Sequence, residues 1–380
     1  MQKFQNSLNI TEIKKHPLSG MTIQELSERL NTFNGKKLPP YRTKQIFSWI
    51  KQGSREFSEM TSIPKALIKT LEENSVIRGS SVHKRLIGRD GTVKLVLKLA
   101  DDTLIETVLL VSSIKNEPEN NLRKKEHYTA CLSTQIGCPI GCVFCKTGSM
   151  GFIRNLDASE IVEQFLFLND ELKNSISDNR LDNRISSIVV MGMGEPLLNL
   201  GALQKALTIL CDPAGFNISR RKITISTAGI CNEIADMAEN GPEAQLAVSI
   251  ASACKELRYS LMPGTVKYPL PRLKEALGLF QKKQKGRITV ETVLLKGINT
   301  RPEDARALID FTKNLNVAIN VIPWNPVQEL NFDGHKLQQP ASEEIKKFIN
   351  ILEDGGLTVT CRYRRGRSVS GACGQLGSSK

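Results

Sequence analysis

The chain has 380 residues, 40% hydrophobic and 24% charged, with Gly, Ser and Pro dispersed along it; this excludes a small stapled scaffold and any low-complexity tract. Lys and Arg number 52 against 39 Asp and Glu, a formal charge of +13, and such an excess points to a polyanionic partner, RNA or DNA first and an anionic membrane second. No run approaches about 18 consecutive apolar residues, so no membrane span is expected.

The opening MQKFQNSLNITEIKK has no apolar core behind its charges, and no secretory signal is expected there. A cytoplasmic, reducing location follows as the expectation, in which clustered thiols suggest metal binding or catalysis more than disulfides. Helical periodicity then appears in TIQELSERLNTF from Thr22 and PKALIKTLEEN from Pro64, separated by the turn-rich NGKKLPP. Residues 1–80 read as a small helical domain. From Lys84 to Val111 apolar and polar residues alternate around the Asp90-Gly91 pair, a hairpin signal. NEPENNLRKKEH, Asn116 to His127, reads as an exposed linker, so 81–127 form a β-hairpin extension and linker.

From Tyr128 the pattern becomes short β-rich runs alternating with longer helical ones. The strands are YTACLST, ISSIVVMG, KITISTAG, QLAVSIAS, RITVETVLL and VAINVIPW, with LTVTCRYR as a last extended piece. Helices are expected from Asp157, Leu200, Asn232, Leu270, Pro302 and Ser342, the first opened by a capping box of Asp157 with Glu160. The fold class is α/β: a mostly parallel sheet with helices outside, either open or an incomplete barrel, its site at the C-terminal strand ends. Residues 128–364 make up this unit and 365–380 a C-terminal segment. Basic residues gather in Leu122–His127, Ser219–Lys222 and Cys361–Arg367. Any one cluster reads equally well as a solvated face, but three together favour nucleic acid.

Four of the nine cysteines lie between Cys131 and Cys145. Cys138, Cys142 and Cys145 form C-x3-C-x2-C between a strand and a capped helix, so one loop can wrap a compact inorganic centre. Structural zinc takes four protein ligands, whereas this loop offers three: His127 precedes the strand and Cys131 lies seven residues upstream. An iron–sulfur cluster with one open iron fits the count better. Chance core cysteines are the weaker reading, since cysteine is scarce.

This motif after the first strand of an α/β unit resembles the radical S-adenosylmethionine superfamily, in which three cysteines hold a 4Fe-4S cluster and S-adenosyl-L-methionine chelates the open iron. The resemblance implies a partial (β/α)6 barrel and cleavage of the cofactor to a 5′-deoxyadenosyl radical. GMGEP, Gly192 to Pro196, resembles the segment that binds the methionine amino group; alone it is an ordinary strand-end turn. IETVLL, TACLSTQIGCPIGCVFCKTGSMGFIRNL, VVMGMGEPLLN, RKITISTAGI, ITVETVLLKGIN, VIPWNP and GACGQL, joined by LPPYRTKQIFSWI and FSEMT, are similar in kind and order to the RlmN/Cfr family of RNA adenine methyltransferases.

That resemblance implies 23S rRNA and tRNA as partners, with C2 of an adenine as the atom methylated; a minority branch methylates C8 and confers antibiotic resistance. Cys373 is implied as the methyl-accepting cysteine, Cys131 as the thiol that forms a transient disulfide with it, and Glu106 as a proton acceptor. Gly194, Glu195, Ser226, Ser249, Ile250, Ala251 and Asn325 are implied in binding S-adenosyl-L-methionine. Judged alone, Cys131 and Cys373 read equally as buried structural cysteines, and Glu106 as a solvent-facing hairpin carboxylate. Cys211, Cys231, Cys254 and Cys361 match no motif and are read as packing residues. Relatives commonly carry S-L-H-A where this chain has Ser249, Ile250, Ala251 and Ser252, and an acidic residue where it has Ser368 and its neighbours. An electron donor such as flavodoxin or ferredoxin and a monomeric state are expected. The competing readings are a radical enzyme with a non-RNA substrate and a non-catalytic RNA-binding paralogue.

Overall fold

The computed structural model describes residues 15–35, 37–113, 126–174, 184–361 and 366–377. Three helices open it: α1 (Ile23–Asn34), α2 (Pro40–Lys51) and α3 (Lys65–Asn74). Thr22 and Glu25 form a reciprocal capping box on α1, and Gly35 closes it in the left-handed region at φ 62°. The middle helix was not expected beside the turn-rich NGKKLPP. Its Pro-Pro start suits a helix N-terminus, and its buried Thr43, Ile46, Phe47 and Ile50 keep helical spacing.

Strands β1 (Ser81–Ile87), β2 (Val93–Lys98) and β3 (Leu104–Ser113) follow. The expected hairpin is therefore a three-stranded antiparallel meander, because Leu99–Thr103 forms a second turn in which Asp102 takes φ 65°. The meander does not stand apart. β3 pairs antiparallel with β4 (Glu126–Cys131), the first strand of the α/β unit. Parallel pairing then carries the sheet through β5 (Ile185–Val190), β6 (Ile223–Thr227), β7 (Gln245–Ser249), β8 (Ile288–Leu294), β9 (Val317–Pro323) and β10 (Val359–Cys361). The described sheet has ten strands in the order β10-β9-β8-β7-β6-β5-β4-β3-β2-β1.

Helices α4 (Ala158–Asn174), α5 (Leu200–Cys211), α6 (Cys231–Asn240), α7 (Lys255–Leu261), α8 (Leu270–Gln284), α9 (Pro302–Thr312) and α10 (Ser342–Asp354) connect the strands. All six expected helix starts fall within one residue of those found; α7 was not foreseen. The Asp157–Glu160 box is made, with Glu160 N donating to Asp157 Oδ1 and Asp157 N to Glu160 Oε2, both at 2.9 Å. Helix α4 also fastens the N-terminal helices to the sheet. Its buried Glu163 accepts from Ser19 Oγ at 2.7 Å and from the N–H groups of Gly79 and Ser80 at 2.8 Å.

Candidate active site

The cysteine loop begins on a tight crossing. Gln135–Gly137 pairs with Phe152–Asn155, and a Cβ on Gly137, at φ 73°, would stand 1.7 Å from the Gly151 carbonyl oxygen. Only glycine fits there. Cys138 N donates to Gly151 O at 2.8 Å and Cys145 N to Cys142 O at 3.1 Å, which curls the loop. Two further elements brace it. Val143 N donates to Leu261 O at the end of α7, and Trp324 Nε1 donates to Phe144 O at 2.9 Å.

Cys138, Cys142 and Cys145 line one cavity of about 180 Å³ with Gly194, Glu195, Ser226, Ser249, Ala251, Asn325 and Cys373. Sequence segments up to 235 residues apart thus converge at the strand ends, as parallel α/β topology requires. Ile250 is the exception. Alternation along the strand turns it into the core, and its N–H donates to Glu291 O at 2.7 Å. Ala251 leaves only a methyl group on the cavity wall.

Burial pushes the Cys138 thiol up to about 12, with Glu195 and Cys145 adding to the rise; burial and then the two neighbouring thiols raise Cys142, and burial raises Cys145. Such thiols stay protonated at neutral pH unless a cationic centre takes the proton's place. Among the described residues no three His, Cys, Asp or Glu side chains converge as ligands of a single ion would. Three thiols bonded to different irons of one cluster need not converge so closely. Asn325 Oδ1 is buried without a hydrogen-bond partner, leaving an acceptor for a polar ligand. The donor set and this acceptor fit a cluster with a polar ligand beside it.

Burial likewise lifts the Glu195 carboxyl to about 7, opposed by the N–H groups of Ala228 and Leu197, which donate at 2.7 and 3.1 Å. Glu291, which the sequence reading missed, accepts from Ser226 Oγ at 2.9 Å and Asn320 Nδ2 at 3.0 Å, orienting the serine. A lone acid within the apolar RITVETVLL was the available signal.

Cys131 lies in a second cavity of about 560 Å³, which Cys373, Met191, Ile322 and Asn325 line as well as the first. Cys373 therefore stands where the two cavities meet. No disulfide links any of the described cysteines, so the expected Cys131–Cys373 bond is not formed here. The far wall of the second cavity carries Arg221 and Lys222 from the SRRK cluster. Most of the other two basic clusters lie outside the described residues.

The segment bearing Cys373 is held along its length. Lys146 N donates to Gly374 O at 2.8 Å, Thr147 Oγ1 to Leu376 O at 2.7 Å and Asn325 Nδ2 to Cys373 O at 3.1 Å. Glu106 is not solvent-facing as the hairpin pattern suggested. It is buried, ion-paired with Lys94 at 2.7 Å, and accepts from Gly377 N at 2.9 Å, while Lys94 Nζ also donates to Ser370 O at 3.1 Å. Lys94 and Glu106 are diagonal neighbours, since Val96 is opposite Glu106 and Lys94 opposite Val108.

A partial barrel with three cysteines in the loop after its first parallel strand defines the class of radical S-adenosylmethionine enzymes, and comparison bears this out. The Radical SAM superfamily profile matches residues 132–311, and the profile of the ribosomal RNA large subunit methyltransferase N-terminal domain matches residues 17–77. A radical SAM methyltransferase from Sphaerobacter thermophilus superposes with a TM-score of 0.85 at 33% identity, covering 96% of this chain and 100% of that one. The probable dual-specificity RNA methyltransferase RlmN of Treponema denticola is 44% identical over 97% of both chains. The dual-specificity RNA methyltransferase RlmN of Lawsonia intracellularis is 40% identical over 98% of this chain and 96% of its own. The chain belongs to the RlmN family of radical SAM RNA methyltransferases.

Proposed function

We propose that this enzyme methylates C2 of an adenine in 23S rRNA and in tRNA through a methyl group carried on Cys373. One observation carries the reading: Cys373 borders both the cavity of the three-thiol loop and the cavity of Cys131. Adenine C2 is neither nucleophilic nor acidic, so ordinary transfer from a sulfonium cannot reach it. Held by Cys138, Cys142 and Cys145, a 4Fe-4S cluster with S-adenosyl-L-methionine would supply the methyl group and a carbon radical able to take hydrogen from a sulfur-bound methyl.

Cys373, facing the first cavity, gives up its thiol proton on accepting the methyl group. After loss of one hydrogen atom its methylene adds to an adenine held in the second cavity. Release needs loss of the ring proton and of one electron, which the external redox partner would accept, and then attack by the Cys131 thiolate on the methylene-bearing sulfur. The S–CH2 bond breaks, the departing carbon takes up a proton to become the methyl group, and a Cys131–Cys373 disulfide is left for an external thiol to reduce. Glu106 is the acceptor that family resemblance supplies; bound to Lys94 and Gly377, it reaches the ring only if that contact opens. Gly194, Glu195, Ser226, Ser249, Ala251 and Asn325 would contact S-adenosyl-L-methionine.

In this reading residues 1–80 are an RNA-binding accessory domain, 81–127 an extension of the sheet, 128–364 the barrel and 365–380 the methyl-carrying segment. A flavodoxin or ferredoxin would deliver electrons to a cytoplasmic monomer. No described helix is long and apolar enough to cross a membrane. Intact-mass analysis of wild type and Cys131→Ala tests the route. A methyl group on Cys373 and RNA covalently trapped on the variant are expected, with nucleoside analysis separating C2 from C8. Cluster-loaded protein showing neither modification would refute it.

A further inference from the structure

Among the described residues two cations are fully buried, Lys94 and Arg258. Lys94 has Glu106 as its carboxylate. Arg258 has no carboxylate among the described residues. Its guanidinium donates to the Ala228 carbonyl at 2.7 Å and the Ser249 carbonyl at 3.4 Å, and rests 3.9 Å from Met262 Sδ; its Nε has no hydrogen-bond partner. A buried cation balanced only by carbonyl dipoles is costly unless an opposite charge stands nearby.

Cys142, Cys231 and Tyr259 are the groups whose ionisation Arg258 would favour, and the Glu195 carboxyl stands across Ala228, accepting that residue's N–H while Arg258 donates to its carbonyl. Cys231 donates its S–H to Gly229 O at 3.7 Å and is therefore a neutral thiol; Tyr259 is a phenol rather than a carboxylate. Glu195 is a carboxyl that burial holds up to about 7, whereas Cys142 is the group that must ionise to bind iron. The helix that carries Arg258 is fastened to the same loop. Val143 N donates to Leu261 O at 3.0 Å and Gly264 N to Ile140 O at 2.8 Å, an approach so close that a Cβ on Gly264 would lie 2.6 Å from Ile140 Cα. The two carbonyls that Arg258 grips end the strands bearing Ser226 and Ser249.

We propose that Arg258 is the counter-cation of the iron–sulfur cluster, a positioning residue whose fixed charge beneath the cysteine loop makes the cluster easier to reduce. The inference rests on the cluster reading above. Reduction adds one negative charge, and a cation held in a low-dielectric interior stabilises the reduced form more than the oxidised one. Family segments did not mark this residue, and only its burial without a carboxylate reveals it.

The test is a redox titration of the full-length, anaerobically reconstituted protein with dithionite as electron source, following the reduced cluster by electron paramagnetic resonance. At a fixed potential Arg258→Gln should hold a reduced-to-oxidised ratio about tenfold below wild type, a fall of about 59 mV for a one-electron couple. Arg258→Lys should stay within about threefold of wild type, because it keeps the charge while losing the planar fork. Unchanged potential in Arg258→Gln, or equal shifts in the Gln and Lys variants, would overturn the proposal. Arg258→Met serves as a second neutral variant. If both neutral variants fail to retain a cluster while the Lys variant loads, charge is again the requirement; if the Lys variant fails too, the role is purely structural and the proposal falls. A wild type that takes up no cluster would overturn the functional reading itself, and that result precedes any substitution.

Discussion

Lys94→Met would strand Glu106. The pair is buried and 2.7 Å apart, with Glu106 also receiving Gly377 N and Lys94 also reaching Ser370 O. Removing one member of such a pair leaves an uncompensated charge out of water, an effect of about 3–5 kcal/mol. Lys94→Met with Glu106→Leu leaves no charge behind, so the remaining loss is the two hydrogen bonds to the C-terminal segment, together about 1–3 kcal/mol. The double variant should therefore be more stable than the single one, with a coupling energy of at least about 2 kcal/mol from a double-mutant cycle. Urea unfolding of the cluster-loaded proteins gives these differences, and limited proteolysis reports release of residues 366–377. Methylation of Cys373 should fall in both variants, because both free the segment. A single variant within about 1 kcal/mol of wild type, or additive effects, would show that the pair is not the clasp.

Gly137→Ala should abolish iron uptake, measured as iron per chain, because the added methyl meets the Gly151 carbonyl oxygen at 1.7 Å and the backbone there already sits at φ 73°; normal iron content would refute this. With Glu195 held up to about 7, the folded chain keeps a proton that the unfolded chain has lost above about 4.5, so stability falls as pH rises between these values and levels off beyond. Glu195→Gln should lack that slope in urea midpoints measured from about pH 5 to 8, and an unchanged slope would assign it elsewhere. Arg221→Ala with Lys222→Ala should weaken RNA binding similarly across sequences and lower the salt slope by about 2, as loss of two phosphate contacts does; an unaltered slope would place the RNA on another face.

From Tyr128 onward the order of the main strands and helices was legible in the chain, α7 excepted. In that region apolar runs, caps and strand-end glycines agree with one another, and local chemistry decides the outcome. The sequence also placed the three-thiol loop, because C-x3-C-x2-C is local in the chain. Helix α2 was legible in the spacing of Thr43, Ile46, Phe47 and Ile50 but was hidden by the prolines that begin it. The second turn, at Leu99–Thr103, rests on Asp102 at positive φ, which a residue-type pattern marks only weakly. Tertiary structure alone decided which side chains share a cavity and which charges lose contact with water. Cys131 and Cys373 share a cavity because the C-terminal segment is tied to the cysteine loop through Lys146 and Thr147 and to the antiparallel strands through Lys94 and Glu106, and Ile250 turns away from a cavity that Ser249 and Ala251 line. Lys94, Glu106 and Arg258 look like ordinary surface charges in the sequence; their importance comes from burial, which depends on every element packed around them and so cannot be read from their neighbours in the chain.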